Sequence, residues 1–293
     1  MRLALYNKVF EEEDVAFFEM LLQILDEQEV EVVIFKDFKE RLKQHIVLKS
    51  DFPTFSDHID FRYSNADMML SLGGDGTMLD ALCYIYDSLV PTLGVNLGRL
   101  GFLADVRKEE IRCAIKALKL GSYSIEERSL IHLDSNQELF GPYPCALNEF
   151  TIHRKDSSSM IKIHTFLNGD FLNTYWADGL IIATPTGSTG YSLSCNGPIV
   201  FPTAENFIIT PVAPHNLNIR PIIVSDSSVL SFEVEGRTEQ FLCTLDSRVA
   251  TITNTVQLAI KKERFPLRLI RLDEHDFLQT LRNKMFWGAD TRN

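Results

Sequence analysis

Leu70-Ser71-Leu72-Gly73-Gly74-Asp75-Gly76-Thr77 is the stretch whose reading decides the fold. It follows an apolar run of strand length at 68–72 and precedes a helical pattern beginning near Thr77. Gly73, Gly74 and Gly76 therefore fall at a strand-to-helix turn. α/β proteins bind phosphates at such turns: glycines let the backbone curl without Cβ clashes, its N–H groups face an anion, and the following helix adds partial positive charge. Asp75 is the odd member, because a carboxylate in a phosphate cradle adds like-charge repulsion. It serves either chemistry, as a base or on a metal, or structure, as a helix N-cap, a task that Thr77 can perform without the charge.

Outward from this turn the chain alternates strand and helix patterns. Strands are expected at 2–6, 30–35 and 93–96. Helices are expected from about Glu13, where Phe17, Phe18, Leu21, Leu22, Ile24 and Leu25 recur at helical spacing, then at 38–47 and at 108–119, the last ended by Gly121. Residues 51–65 read as an irregular connection, and 94–103 as a second glycine-punctuated segment. This alternation implies a Rossmann-like, mostly parallel sheet wrapped by helices. After Tyr123 helical periods vanish and strands separated by turns take over, so a β-rich second domain is expected over 124–272. Its strands are placed at 125–133, 146–153, 207–211, 229–234, 241–245, 256–261 and 267–271. A hairpin of 161–167 with 171–177 turns at Asn168-Gly169, and a mobile loop is expected at 157–159. A helix at 273–286, within a tail that runs to residue 293, is expected to pack back on the first domain, 1–123.

At 293 residues with 45% apolar side chains, the chain can bury two cores. A net charge of −11 argues against a nucleic-acid or anionic-membrane surface, since phosphate backbones are held by basic patches. Five cysteines, Cys83, Cys113, Cys145, Cys195 and Cys243, show no close pairing and suit reduced thiols in a cytoplasmic protein. No signal segment or membrane-spanning apolar run is apparent.

The richest stretch of the second domain runs from Asp178 through Thr184-Pro185-Thr186-Gly187-Ser188-Thr189-Gly190-Tyr191 to Ser192-Leu193-Ser194. A buried-looking strand enters a turn full of amides and hydroxyls, followed by an aromatic that can stack or donate. This suits a nucleoside or phosphate, and equally an Ω-like loop held by its own hydrogen bonds. Asn148-Glu149 offers an amide for a base edge and a carboxylate for ribose hydroxyls, or else a solvated strand end.

Taken together and in order, the pentad at 73–77, Gly-x-Asn-x-Gly-x-x-Gly-Phe-Leu at 94–103, Asn148-Glu149 and the 178–194 segment closely resemble NAD kinases of the bacterial type. Pro214-His215 and Leu245-Asp246-Ser247 extend the resemblance over essentially the whole chain. The pentad alone is shared with diacylglycerol, sphingosine and 6-phosphofructokinase relatives, and the second-domain motif narrows the family.

The resemblance implies ATP-dependent phosphorylation of NAD at the 2′-hydroxyl of its adenosine ribose, with Asp75 as proton acceptor. Gly73, Gly74, Gly76 and Thr77 would lie against the dinucleotide or phosphates. Asn148 and Glu149 would hold the adenine-side nucleoside, and Asp178 a ribose or amide group. Thr186 and Thr189 through Ser194 would line the pocket with Tyr191 as its wall, in a crevice between domains. Three positions depart from commoner members: Gly190 where alanine is frequent, Trp176 where a charged residue often lies, and Arg248 where glutamine is common. Arg248 is either a phosphate-binding cation or a surface ion-pair partner. A divalent cation, Mg²⁺ or Mn²⁺, is expected to arrive with the nucleotide, and a homodimer or homotetramer is implied. Two other readings remain: a lipid or sphingoid kinase with the same pentad, and a non-catalytic NADP sensor.

Overall fold

The computed structural model describes residues 1–98, 101–156, 159–272 and 277–285. The chain forms two compact units, one of residues 1–127 with 268–293 and one of residues 128–267.

The sheet of the first unit runs, from edge to edge, Thr54–Phe55, Glu31–Phe35, Arg2–Tyr6, Met68–Leu72, Thr92–Asn96, Leu267–Arg271 and Ser124–Arg128. Ala104–Arg107 pairs with Thr92–Asn96 off that path. Neighbours from Thr54–Phe55 to Leu267–Arg271 are parallel. Met68–Leu72 is buried along its whole length, as a strand covered on both faces must be. The helix Val15–Glu27 buries Phe17, Phe18, Leu21, Ile24 and Leu25, the stripe its spacing predicts. Ile111–Leu120 ends where Gly121 takes φ of 69°, a left-handed cap. Strand order reverses beside Arg2–Tyr6: its first crossover leads to Glu31–Phe35 on one side, and Met68–Leu72 lies on the other. Ligands of open α/β sheets bind at the carboxyl ends of strands flanking such a reversal, and the glycine turn leaves Met68–Leu72 at that end.

Several sequence expectations shift. The helix after the turn is Asp75–Ile85, starting two residues before Thr77. The connection at 51–65 holds a short strand, Thr54–Phe55, and a helix, His58–Tyr63, whose N-cap Asp57 accepts from the Asp60 amide at 2.9 Å. These elements are too short to show a period. The stretch 125–133 is two strands, Ser124–Arg128 and Ile131–Ser135, in different sheets. Leu267–Arg271, read with the second domain, pairs with Thr92–Asn96 in the first sheet. The loop expected at 157–159 falls mostly outside the described residues, as do 99–100 of the second glycine segment. Of the C-terminal helix, Phe277–Met285 is described, and Phe277 lies 6.0 Å from Phe102 within the first unit.

The second unit consists of two six-stranded sheets with antiparallel pairings. Both contribute to one core that includes Phe150, Ile152, Ile163, Tyr175, Phe232 and Ile260, so they are packed face to face. Asn168 and Gly169 take φ of 53° and 89°, as a two-residue hairpin turn requires. Ile222–Ser225 and Arg248–Thr253 are strands that the sequence pattern did not reveal.

Candidate functional site

In the first unit the glycine turn divides its labour. Gly73, at φ of 155°, is packed so that a Cβ there would lie 2.2 Å from Thr77 Oγ1. Gly74 and Gly76 are exposed, with nothing within 4 Å of an added Cβ, so an anion can approach their backbone. Gly74, not a side chain, is the N-cap. The capping reading of Asp75 and of Thr77 therefore does not hold: Asp75 is the first helical residue and Thr77 lies inside the first turn.

The Asp75 carboxylate instead reaches the second glycine segment. Oδ2 accepts from the Phe102 amide at 2.8 Å, and Oδ1 from the Leu103 and Ala104 amides at 2.9 and 3.0 Å. A carboxylate offers about four acceptor positions. Among the described residues two on Oδ1 and one on Oδ2 are filled, which leaves one on Oδ2 for a hydroxyl. Gly101 permits this approach, since a Cβ there would stand 1.8 Å from Oδ1.

The second unit repeats the device with different residues. The Asp246 carboxylate accepts from the Leu147, Asn148 and Glu149 amides at 2.8, 2.8 and 3.1 Å, and so fixes the start of the strand Glu149–Arg154. Burial raises its pKa against the opposing pull of these amides. Glu149 is pushed up to about 7 by burial and by the nearby Asp246 charge. Its Oε2 is buried and has no hydrogen-bond partner among the described residues. A Cβ on Gly190 would meet that oxygen at 3.1 Å and Asn148 Nδ2 at 3.7 Å, which brings Asn148, Glu149 and Gly190 together. A Cβ on Gly187 would lie 2.1 Å from the Asn148 carbonyl oxygen, so the 184–190 turn packs directly on this strand.

That turn holds itself together and presents a face as well. Thr186 Oγ1 accepts from Arg128 at 3.1 Å, Ser188 Oγ donates to the Val200 carbonyl at 3.1 Å, and Ser192 Oγ meets Thr210 Oγ1 at 2.9 Å. The Thr186 and Ser192 hydroxyls are buried and each takes part in holding the fold. Thr189 donates to the Thr186 carbonyl at 3.2 Å while remaining half-buried, and Tyr191 and Ser194 are exposed, with Leu193 half-buried between them. The Tyr191 ring stacks on His153 at 5.6 Å, and burial lowers the His153 pKa, which favours a neutral imidazole. Asp178 pairs with Arg154 at 2.9 Å.

Two predicted residues make contacts outside the 147–154 and 184–194 segments. Trp176 stacks on His215 at 4.5 Å and lines a cavity of about 450 Å³ with Lys162, Glu235 and Arg237, none of them from the 147–154 or 184–194 segments. The Arg248 guanidinium donates to the Tyr143 carbonyl at 2.6 Å and to the Cys145 carbonyl, and lies over the Phe140 ring. Asp246 is the residue that sequence reasoning did not place in the site. Its signal was the Leu245-Asp246-Ser247 motif, a tight turn whose Asp246 takes φ of 51°. Among the described residues no three His, Cys, Asp or Glu side chains converge as a metal cage.

Comparison with known proteins bears on both units. Residues 5–123 match the ATP-NAD kinase N-terminal domain and residues 147–272 the ATP-NAD kinase C-terminal domain. The NAD kinase of Cytophaga hutchinsonii is 48% identical over 294 residues, and that of Flavobacterium psychrophilum 43% over 295; each alignment covers all of both chains. Among solved structures, yeast NADH kinase complexed with NADH superposes with a TM-score of 0.87 at 23% identity, covering 99% of this chain and 89% of that one. An NAD kinase from Archaeoglobus fulgidus in complex with ATP gives a TM-score of 0.75 at 24% identity, covering 98% and 99%. These two show that the fold is shared. Full-length identity to the bacterial enzymes, together with both domain matches in order, shows that the chain belongs to the NAD kinase family.

Proposed function

We infer that this protein transfers the terminal phosphoryl group of ATP to the 2′-hydroxyl of the adenosine ribose of NAD, giving NADP. The observation that carries the reading is Asp75, intact in the glycine turn and held by three amides with one acceptor position left over. In phosphoryl transfer the travelling group is metaphosphate-like, so catalysis is chiefly positioning and charge neutralisation, with a base to take the hydroxyl proton. Asp75 Oδ2 takes that proton. The exposed amides of Gly74 and Gly76, at the N-terminus of Asp75–Ile85, face phosphate oxygens. Asn148 and Glu149 hold the nucleoside; with a pKa of about 7, Glu149 can donate as well as accept a hydrogen bond from a hydroxyl. Tyr191, backed by His153, forms a wall, and Asp178 contacts a ribose or amide group.

Mg²⁺ or Mn²⁺ would neutralise charge on the donor phosphates. We take that cation to arrive on the nucleotide, since Mg²⁺ dehydrates reluctantly and is commonly held through substrate phosphates. Five cysteines free of disulfides support a cytoplasmic enzyme, and we place it there as a homodimer or homotetramer, testable by light scattering. No helix among the described residues is long and apolar enough to cross a membrane. The lipid-kinase alternative lacks support, since the second domain matches the NAD kinase C-terminal family.

The test is NADP formation by the purified full-length chain with Asp75→Asn beside it. Turnover should fall by about 10²- to 10⁴-fold, the range of general-base catalysis, while calorimetry finds NAD still bound. Near-normal turnover removes Asp75 from the role.

A further inference from the structure

We propose that Arg271 is a positioning residue for Asp75, acting through the 101–105 segment from the face opposite the carboxylate. The proposal rests on the reading of Asp75 as base. Asp75 holds this segment by its amides at 102, 103 and 104. Three amide bonds fix the carboxylate only as well as the segment itself is fixed.

Arg271 supplies that fixation. It ends the strand Leu267–Arg271, and its guanidinium is mostly buried, at 13% side-chain exposure. Nη2 donates to the Phe102 carbonyl at 3.3 Å, Nη1 pairs with the Asp105 carboxylate, and Nε donates to Glu126 at 2.8 Å. One planar fork thus grips both ends of the segment, Phe102 and Asp105, and anchors them to Glu126 on Ser124–Arg128, in the same sheet. The following helix adds to the grip: Phe277 lies 6.0 Å from the Phe102 ring, and Lys284 Nζ stands 4.9 Å over it. The peptide joining Phe102 to Leu103 is held at its carbonyl by Arg271 and at its amide by Asp75 Oδ1, so any rotation of that peptide moves the carboxylate.

Lysine can keep the charge that Asp105 and Glu126 need but cannot reproduce a three-point planar fork. In Arg271→Lys, kcat should fall by about tenfold with KM for ATP and NAD within about twofold, the pattern of a lost transition-state alignment. The discriminating readout is a double-mutant cycle with Asp75→Asn. If Arg271 acts through Asp75, Arg271→Lys should change the residual rate of Asp75→Asn by less than about twofold. Asp105→Asn, which leaves Arg271 in place but loosens its fork, provides a second variant should Arg271→Lys fold poorly; it should lose kcat selectively and likewise have no further effect on Asp75→Asn. A kcat for well-folded Arg271→Lys within twofold of wild type overturns the proposal. So does an equal loss in both backgrounds for the folded variant, which would make Arg271 a general support of the fold. Near-wild-type turnover of Asp75→Asn itself overturns the reading of Asp75, and the proposal with it.

Discussion

Replacing Glu149 by glutamine should stabilise the protein at pH 8 and leave it nearly unchanged at pH 5. Burial first, and then the neighbouring Asp246 charge, raises the Glu149 pKa from 4.5 to about 7. A carboxyl whose folded pKa lies above its unfolded value binds more protons when folded. It therefore costs nothing well below pH 4.5, costs progressively more as pH rises from 4.5 to about 7, and costs its full amount above that. The difference between 4.5 and about 7 corresponds to about 3 kcal/mol. The unpartnered Oε2 is the structural face of this cost, since an ionised oxygen buried without a donor is poorly solvated. Glutamine cannot ionise, and its carbonyl oxygen can still accept from the Tyr191 amide that Glu149 engages. Urea unfolding should place Glu149→Gln above wild type by up to about 3 kcal/mol at pH 8, and by less than about 1 kcal/mol at pH 5. An equal difference at both pH values, or a destabilised variant at pH 8, would refute the reasoning. If Glu149 holds the nucleoside as proposed, the same variant should weaken NAD binding in calorimetry.

Three further outcomes are expected. Gly101→Ala places a methyl 1.8 Å from Asp75 Oδ1, so the carboxylate must move and NADP formation should fall by about 10²-fold or more, whereas Gly98→Ala, with nothing within 4 Å, should be near wild type in the same assay. Asp246→Asn turns an NH₂ toward amides that need an acceptor, and calorimetry should find NAD affinity reduced by about tenfold while a pH titration finds Glu149 moved back toward its usual range. Arg248→Gln gives up part of the bonding to the Tyr143 and Cys145 carbonyls and should cost about 1–2 kcal/mol in denaturant unfolding with kcat unchanged; a large loss of turnover would return Arg248 to the pocket.

The amino-acid sequence by itself determined the α/β alternation, the hairpin at Asn168-Gly169, the Gly121 cap and the family, because periodicity, turn chemistry and motif order are local properties of the chain. It also made Asp75, Asn148, Glu149, Tyr191 and the glycines of the turn the candidates proposed above, because their residue types suggest that chemistry. Tertiary structure alone decided what Asp75 touches. Its partners are backbone amides at 102–104, and an amide has no side-chain identity by which a sequence could announce it. The same holds for Asp246, whose three amides lie about a hundred residues upstream, and for Arg271, which meets Asp105 and the Phe102 carbonyl only because a late strand returns to the first sheet. Arg248 is a further case: its charge suggested an anion, and only the folded chain brings the Tyr143 and Cys145 carbonyls within reach of its guanidinium. Which side chains serve the ligand and which serve the fold depends on the nearest available partner in space, and that is fixed only when distant strands pair.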